Sequence, residues 1–442
     1  MSTLAINGGQ PIRNELHPFP SQKTFGKEEI LNVTKFMLTS KILSGYRGNS
    51  SPAFWGGEQV RKFETEFENK FSDPLTFGAL ATNSCTSALQ IACSAAGLLP
   101  GDEVIVTPWS MSCSATAPLT CGAIPIFADI DPDYFCLDPK SVEEKITPRT
   151  RAIIVVDLFG QMYDPRINKI AKKHGLVIIE DAAQAIGSYQ MIKGTKVFAG
   201  HMGDMGCFSF TQGKHLTAGE GGILVSEVNG PFFGRASLAR NHAEAVVSDC
   251  DRLNKEDDYV LHCDMIGNNM RLTEIQAVIL QSQLKKLDEF IAMRQQNVET
   301  LNRTLRYIPP IQICETRDNC THARYVHGFK WVADLSEGVS RDVFIDAVKA
   351  ELSGEKHRPD RPLLGCGYIK PLYDMPLFQS RENYYLQKVK KKTYRPLPVV
   401  ERMYKSEFFL SMYHNLPLNI GDQNDICDAF EKVWKHRGEL CR

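Results

Sequence analysis

Residues 203–226 read G-D-M-G-C-F-S-F-T-Q-G-K-H-L-T-A-G-E-G-G-I-L-V-S. Two apolar runs, Cys207 to Phe210 and Ile223 to Val225, have the length and composition of strands, and a glycine-rich loop joins them. The loop presents one lysine, Lys214, among small and hydroxyl-bearing residues. A lysine is ordinarily a solvated surface charge. This segment is too apolar and too glycine-rich for a surface helix, and glycine lets a backbone approach a bound group closely. An amine held in a dry pocket sheds its proton more readily and becomes a nucleophile toward carbonyls. Such a lysine needs a pocket for a carbonyl compound, which the flanking chain has to build.

Upstream, the chain alternates strand and helix from Leu80 onward. T-N-S-C-T-S-A-L-Q-I-A-C-S-A-A-G-L-L, from Thr82, is a polar turn opening into a small-residue helix expected to stop at Gly101. V-I-V at 104, P-I-F-A-D-I-D at 125, A-I-I-V-V-D-L-F-G at 152 and L-V-I-I-E-D-A-A-Q-A at 176 follow, with a helical pattern from Pro165 to His174. Near-continuous apolar strands separated by helices predict an α/β fold around a mostly parallel central sheet buried on both faces. Ligands of such sheets collect beyond the carboxyl ends of the strands.

Further out, residues 1–25 read as an extended arm punctuated by glycine and proline. A helix is expected from Lys27 to Leu38 with Ile30, Val33, Phe36 and Met37 on one face, and a polar, glycine-rich loop at 44–58. A long amphipathic helix runs from about Thr273 to Leu301, after which proline, aromatics and charge become more frequent. The expected division is an arm (1–25), a large α/β domain (26–302) and a smaller C-terminal α+β domain (303–442).

The 442 residues, 43% hydrophobic and 23% charged, suit an ordinary globular protein with ample core. A formal net charge of −1 argues against nucleic acid or an anionic membrane surface as partner. No apolar run is long enough to span a bilayer, and the start M-S-T-L-A-I-N-G-G lacks the pattern of a signal peptide. The thirteen cysteines include no C-x-x-C, and Cys93 and Cys207 lie in apolar context, so buried thiols in a reducing cytoplasm are expected. His322, His327 and His357 lack metal-ligand spacing.

Four features converge on the strand ends. Asn83 to Thr86 place small hydroxyl and amide residues at a helix start, which is either an ordinary N-cap or a phosphate seat. Asp181 ends a buried strand, as a cap for the next turn or as partner of a buried cation, and Gln184 follows one turn on. Ser209 alternates with Phe208 and Phe210 just ahead of Lys214. A phosphate seat, an acid for a ring nitrogen and an amine for an aldehyde are the three handles that pyridoxal 5'-phosphate requires.

The chain resembles the DegT/DnrJ/StrS family of sugar aminotransferases, within the fold-type I pyridoxal phosphate enzymes. The resemblance rests most firmly on E-D-A-A-Q-A at 180, G-D-M-G-C-F-S-F-T-Q-G-K-H-L-T-A-G-E-G-G at 203 and G-N-N-M-R-L-T-E-I-Q-A at 267. It implies that Lys214 holds the cofactor's aldehyde and that Asp181 pairs with its pyridine nitrogen. Gln184 would lie against the ring or its hydroxyl, and Cys85, Thr86 and Ser209 would sit at the phosphate. The family's G-x-N-x-R pattern falls on Gly267, Asn269 and Arg271, and its asparagine reaches the phosphate bound in the other subunit, implying a homodimer with shared sites. An aromatic residue usually stacks on the ring; gapless alignment places Met111 there, with Trp109 two residues earlier. Tyr46, Arg47 and His242 fall where the family contacts substrate and donor, although a lone histidine is also an ordinary loop hydrogen-bonder. The lysine cluster at 388–392 reads as a solvated helix face.

The implied activity is transfer of an amino group from glutamate or glutamine to a keto group of a nucleotide-linked sugar, related keto sugar or ketocyclitol, in amino-sugar or polysaccharide biosynthesis. Relatives that dehydrate sugars replace the lysine with histidine, and this chain keeps Lys214. A sensor built on the same fold is the alternative from another class.

Overall fold

The computed structural model describes residues 3–45, 54–71, 76–246, 259–261, 265–352, 363–379 and 397–441. Helices α1 (Lys27–Thr39) and α2 (Glu58–Phe71) precede the first strand, β1 (Phe77–Thr82), and α3 (Cys85–Ala95) follows it. Then come β2 (Glu103–Val106), the short α4 (Cys113–Thr116), β3 (Ile124–Phe127), α5 (Pro139–Lys145) and β4 (Thr150–Val156). Helix α6 (Arg166–His174) leads to β5 (Val177–Asp181), a small hairpin of β6 (Tyr189–Ile192) and β7 (Thr195–Phe198), then β8 (Met205–Ser209) and β9 (Gly222–Glu227). The central sheet has seven strands in the order β1-β9-β8-β5-β4-β2-β3. Its pairings are parallel from β3 through β8, whereas β9 is antiparallel to both β8 and β1. Every residue of β2 is buried and nearly every residue of β4 and β5, which is why these strands are continuous apolar runs.

Helix α7 (Phe233–Arg240) packs on α3, and a hairpin of β10 (Glu244–Val246) and β11 (Tyr259–Leu261) follows. The 32-residue α8 (Glu274–Leu305) opens on a capping box in which Thr273 and Gln276 exchange hydrogen bonds, and it packs against α1, α2 and the C-terminal helix. Strands β12 (Ile311–Ile313), β13 (His327–Trp331), β14 (Leu364–Cys366) and β15 (Phe408–Ser411) form an antiparallel sheet ordered β12-β13-β15-β14. Helices α9 (Arg341–Glu351), α10 (Pro376–Gln379), α11 (Pro398–Arg402) and α12 (Ile420–Lys435) complete the chain. The N-terminal arm joins this C-terminal part: Leu4 is fully buried, and Arg13 donates to Asp422 at 2.7 Å.

Two expectations from periodicity are corrected. Helix α3 ends at Ala95, short of Gly101, because Gly97 turns left-handed (φ +73°) behind it. On α1 only Phe36 of the expected apolar face is buried; Ile30 and Met37 are exposed, as are Leu31 and Leu38. The described cysteines are all free thiols, with Cys93 and Cys207 buried. Among the described residues no helix is long and apolar enough to cross a membrane, and no group of three or more His, Cys, Asp or Glu is disposed to hold a metal ion.

Candidate active site

The carboxyl ends of β1, β2, β5 and β8 meet around Asp181, the last residue of β5 and only 3% exposed. Ser114, on α4, donates its hydroxyl to Asp181 Oδ2 at 2.7 Å, and Ala183 N–H donates to Oδ1 at 3.3 Å. The Cys85 thiol lies 3.9 Å from the same Oδ1. Burial pushes the Asp181 carboxyl above its ordinary range, against the opposing pull of Ser114 and of the Lys214 charge. A buried carboxyl with so few donors is suited to a further cation.

Lys214 is half-buried in the loop between β8 and β9, its N–H donating to Thr211 O at 3.2 Å. Its Nζ lies over the Tyr325 ring, 4.2 Å from the centroid. The Lys214 charge acts on Asp181, Cys85 and Cys113, which places the amine on the Asp181 side of the cleft. Burial, reinforced by Asp181, pushes the Cys113 thiol up to about 11, and the Thr86 hydroxyl hydrogen-bonds it. Cys113 is therefore a neutral thiol at physiological pH.

Helix α3 begins beside this group. Ser84 is its N-cap and accepts the Ser87 N–H at 3.0 Å, while the Ser87 hydroxyl donates to Asn83 Oδ1 at 2.6 Å. The first-turn N–H groups of Cys85 and Thr86 have no intrahelical acceptor, as at any helix start, and they supply anion-binding donors. The Cys85 side chain faces Asp181, so only its main chain is placed to serve a phosphate. Gly222 permits this arrangement: a Cβ there would lie 2.5 Å from Cys85 N. Ser209, half-buried at the end of β8, accepts the Thr211 N–H at 3.5 Å.

Gln184 is 3% exposed, and its Oε1 accepts the Phe159 N–H at 2.8 Å, holding that residue in the left-handed region (φ +62°). Its Nε2 donates to the Tyr368 hydroxyl at 3.4 Å. Trp109 and Met111 separate completely. Trp109 is fully buried among Phe135, Phe159, Tyr368 and Phe408, and its indole N–H donates to Ile369 O at 2.8 Å. That commits Trp109 to the core and leaves Met111, 65% exposed, as the member of the pair able to cover a ligand.

Asn269 and His242, both exposed, lie on two segments that pair with each other, through the Asn241–Asn269 bridge and His242 N–H to Asn268 O at 3.1 Å. Gly267 allows the pairing, since a Cβ there would meet Ala243 N at 1.9 Å. Asn83 N–H donates to Met270 O at 3.0 Å and ties this segment to the start of α3. Tyr46, Arg47 and the lysines at 388–392 lie outside the described residues.

Sequence reasoning missed Ser114 and Tyr325. Ser114 stands three residues after Met111, where its spacing along a first helical turn was a usable signal. Tyr325 comes from a different part of the chain, just before β13, and no local pattern marks it.

A mostly parallel sheet with a lysine after β8, a carboxyl ending β5 and a helix start after β1 defines the fold-type I pyridoxal phosphate aminotransferases. Residues 49–431 match the DegT/DnrJ/EryC1/StrS aminotransferase family, and the chain belongs to that family. It is 33% identical over 448 residues to the L-glutamine:2-deoxy-scyllo-inosose aminotransferase of Streptomyces kanamyceticus, covering 99% of this chain and 98% of that one. It is 29% identical over 425 residues to the spore coat polysaccharide biosynthesis protein SpsC of Bacillus subtilis, covering 96% and 98% of the two. The solved aminotransferase from Psychrobacter cryohalolentis superimposes with a TM-score of 0.78 at 25% identity, over 95% of this chain and 99% of the other.

Proposed function

We propose that the chain binds pyridoxal 5'-phosphate and moves an amino group from glutamine or glutamate to the keto carbon of a cyclitol or sugar, free or nucleotide-linked. The observation that carries this reading is the Asp181 carboxyl, buried and raised, with Ser114 on one oxygen, Ala183 N–H and Cys85 at the other, and the Lys214 charge near enough to act on it. The donor set fits the cofactor: a protonated ring nitrogen is a further cation that would offset the burial of Asp181, and the start of α3 can take a phosphate. When bound, the cofactor supplies an aldehyde for amines and an electron-withdrawing ring.

The protein's own groups do the rest. Asp181 would keep the ring nitrogen protonated, and the Ser114 hydroxyl steadies that carboxyl through Oδ2. Lys214 would hold the aldehyde and, once freed, its Nζ would carry a proton between the substrate's amine-bearing carbon and the cofactor. The Thr86 and Ser209 hydroxyls and the main-chain N–H of Cys85 would hold the phosphate, and Met111 would cover the ring face through its thioether. Tyr46, Arg47 and His242 take the substrate, and Asn269 completes the site of a partner subunit in a homodimer. The Streptomyces relative supports glutamine as donor and a ketocyclitol as acceptor; the Bacillus relative supports a place in polysaccharide biosynthesis.

The test is an absorbance spectrum of protein loaded with pyridoxal phosphate and desalted, before and after glutamine or glutamate. A retained visible band that glutamine bleaches and 2-deoxy-scyllo-inosose restores is expected. Lys214→Ala should retain no borohydride-reducible adduct, and its turnover should fall on the order of 10²–10⁴-fold from lost proton transfer alone. A wild-type protein that retains no band would end the cofactor reading.

A further inference from the structure

We propose that Tyr325 is a positioning residue for Lys214, its ring face serving as the fixed resting place of the free ammonium each time the amine is released from the cofactor. The inference rests on the role given to Lys214 above. Nζ stands 4.2 Å from the Tyr325 ring centroid, within the range where the negative face of an aromatic ring attracts a cation. A lysine that must leave a carbonyl carbon and later return to it is served by such a station, because its four-carbon stem has many other rotamers to explore.

The backbone just ahead of the ring is held from three directions. His215, the residue after Lys214, hydrogen-bonds through Nε2 to Ala323 O at 2.8 Å. Arg294, from α8 and 1% exposed, donates to Arg324 O at 3.1 Å, and His414, which follows β15, donates to the same oxygen at 2.6 Å. The N–H groups of the segment are also taken: Ala323 donates to Ser188 Oγ at 2.8 Å, Arg324 to His322 Nδ1 at 3.0 Å, and Tyr325 to Phe159 O at 2.9 Å. Arg324 is held left-handed (φ +54°), a conformation that persists in a non-glycine residue only where its surroundings over-determine it. The loop bearing the amine and the segment bearing the ring are thus joined by the direct His215–Ala323 bond. Among the described residues, the Lys214 charge also acts on Asp181 from β5, Cys85 from α3, Cys113 from α4 and His215. A change confined to residue 325 leaves all four in place.

The experiment is the rate of Lys214 acetylation in the cofactor-free protein across pH, read by mass spectrometry of the peptide that carries it. Acetic anhydride reacts only with the neutral amine, so the rate reports how strongly the ammonium is held. Replacing Tyr325 by Phe keeps the ring and should keep the wild-type profile. Tyr325→Leu, and pentafluorophenylalanine at 325, which keeps the shape but removes the ring's negative face, should each label about three- to tenfold faster at neutral pH. The fluorinated variant keeps the test decisive if the leucine variant does not fold. Wild-type profiles in the fluorinated protein, or an equal shift in Tyr325→Phe, would overturn the proposal. Because no cofactor is added, failure here is distinct from failure of the cofactor-binding test.

Discussion

Asp181 is a buried carboxyl whose surroundings offset only part of its desolvation. Burial dominates and raises its pKa, while Ser114 and the Lys214 charge pull the other way. A folded-state pKa above the unfolded one means that the native state binds the proton more tightly. The associated stability is complete below the ordinary carboxylate range and is lost as pH rises from that range through the raised value. Cofactor-free protein should therefore lose thermal stability on going from about pH 4 toward neutrality. Asp181→Asn, which keeps an acceptor for Ser114 but does not titrate, should remove that part of the slope. Pyridoxal phosphate should restore the wild type at neutral pH and have a smaller effect on the variant, since only the carboxylate gains from a protonated ring nitrogen. Melting curves of both proteins against pH, with and without cofactor, decide it; parallel slopes without cofactor would show that Asp181 is not the titrating group.

At the scale of elements, the β1 edge of the central sheet is closed by a helix rather than by another strand. The outward N–H groups of Ala79 and Ala81 on β1 donate to Glu68 Oε1 at 2.6 Å and Glu64 Oε1 at 2.7 Å, both from α2. Arg240, at the end of α7, donates to Glu64 at 2.7 Å and to the carbonyls of Ala81 and Trp55, so one buried ion pair ties two helices to the strand that leads into the turn opening α3. Removing one partner of such a pair strands the other charge; Arg240→Met should lower stability by about 3 kcal/mol in urea unfolding. Glu64→Leu combined with it should recover part of the loss. A double variant whose loss equals the sum of the two single losses would argue that Glu64 matters chiefly as the acceptor for β1.

The positions of these elements were legible because strands buried on both faces read as unbroken apolar runs and because Gly and Pro punctuate them. Direction was harder. The stretch between β8 and β9 holds no crossover helix, and adjacent strands joined without one pair antiparallel, which reverses β9 in an otherwise parallel sheet. The burial of Trp109 was not legible, because its pocket is assembled from Phe135, Phe159, Tyr368 and Phe408, widely separated in the chain. Lys214 and Asp181 stood out because a lysine in a glycine-rich loop and an acid ending an apolar strand break the local pattern; Tyr325 breaks none.

On the scale of the molecule, a single chain presents Asn269 at its surface, on a segment too well tied to swing. Asn268 N–H donates to Ala239 O at 2.9 Å and Met270 N–H to Arg240 O at 3.1 Å, so the asparagine between them projects from a fixed ledge. Helix α1 exposes Ile30, Leu31 and Leu38 as well, apolar area of the kind that association covers. If Asn269 serves the phosphate of a partner's site across a two-fold axis, each site draws its lysine from one subunit and its asparagine from the other. Lys214→Ala and Asn269→Ala homodimers should then both be impaired, and refolding an equal mixture should create heterodimers with one doubly altered site and one intact site. Half of the dimers would carry one working site in two, returning about a quarter of wild-type activity. If Asn269 instead serves the Lys214 of its own chain, every site in the mixture keeps one lesion and no activity returns. Tagging the two variants differently and isolating the mixed dimer makes the distinction quantitative, since that species alone should then carry half of the wild-type activity.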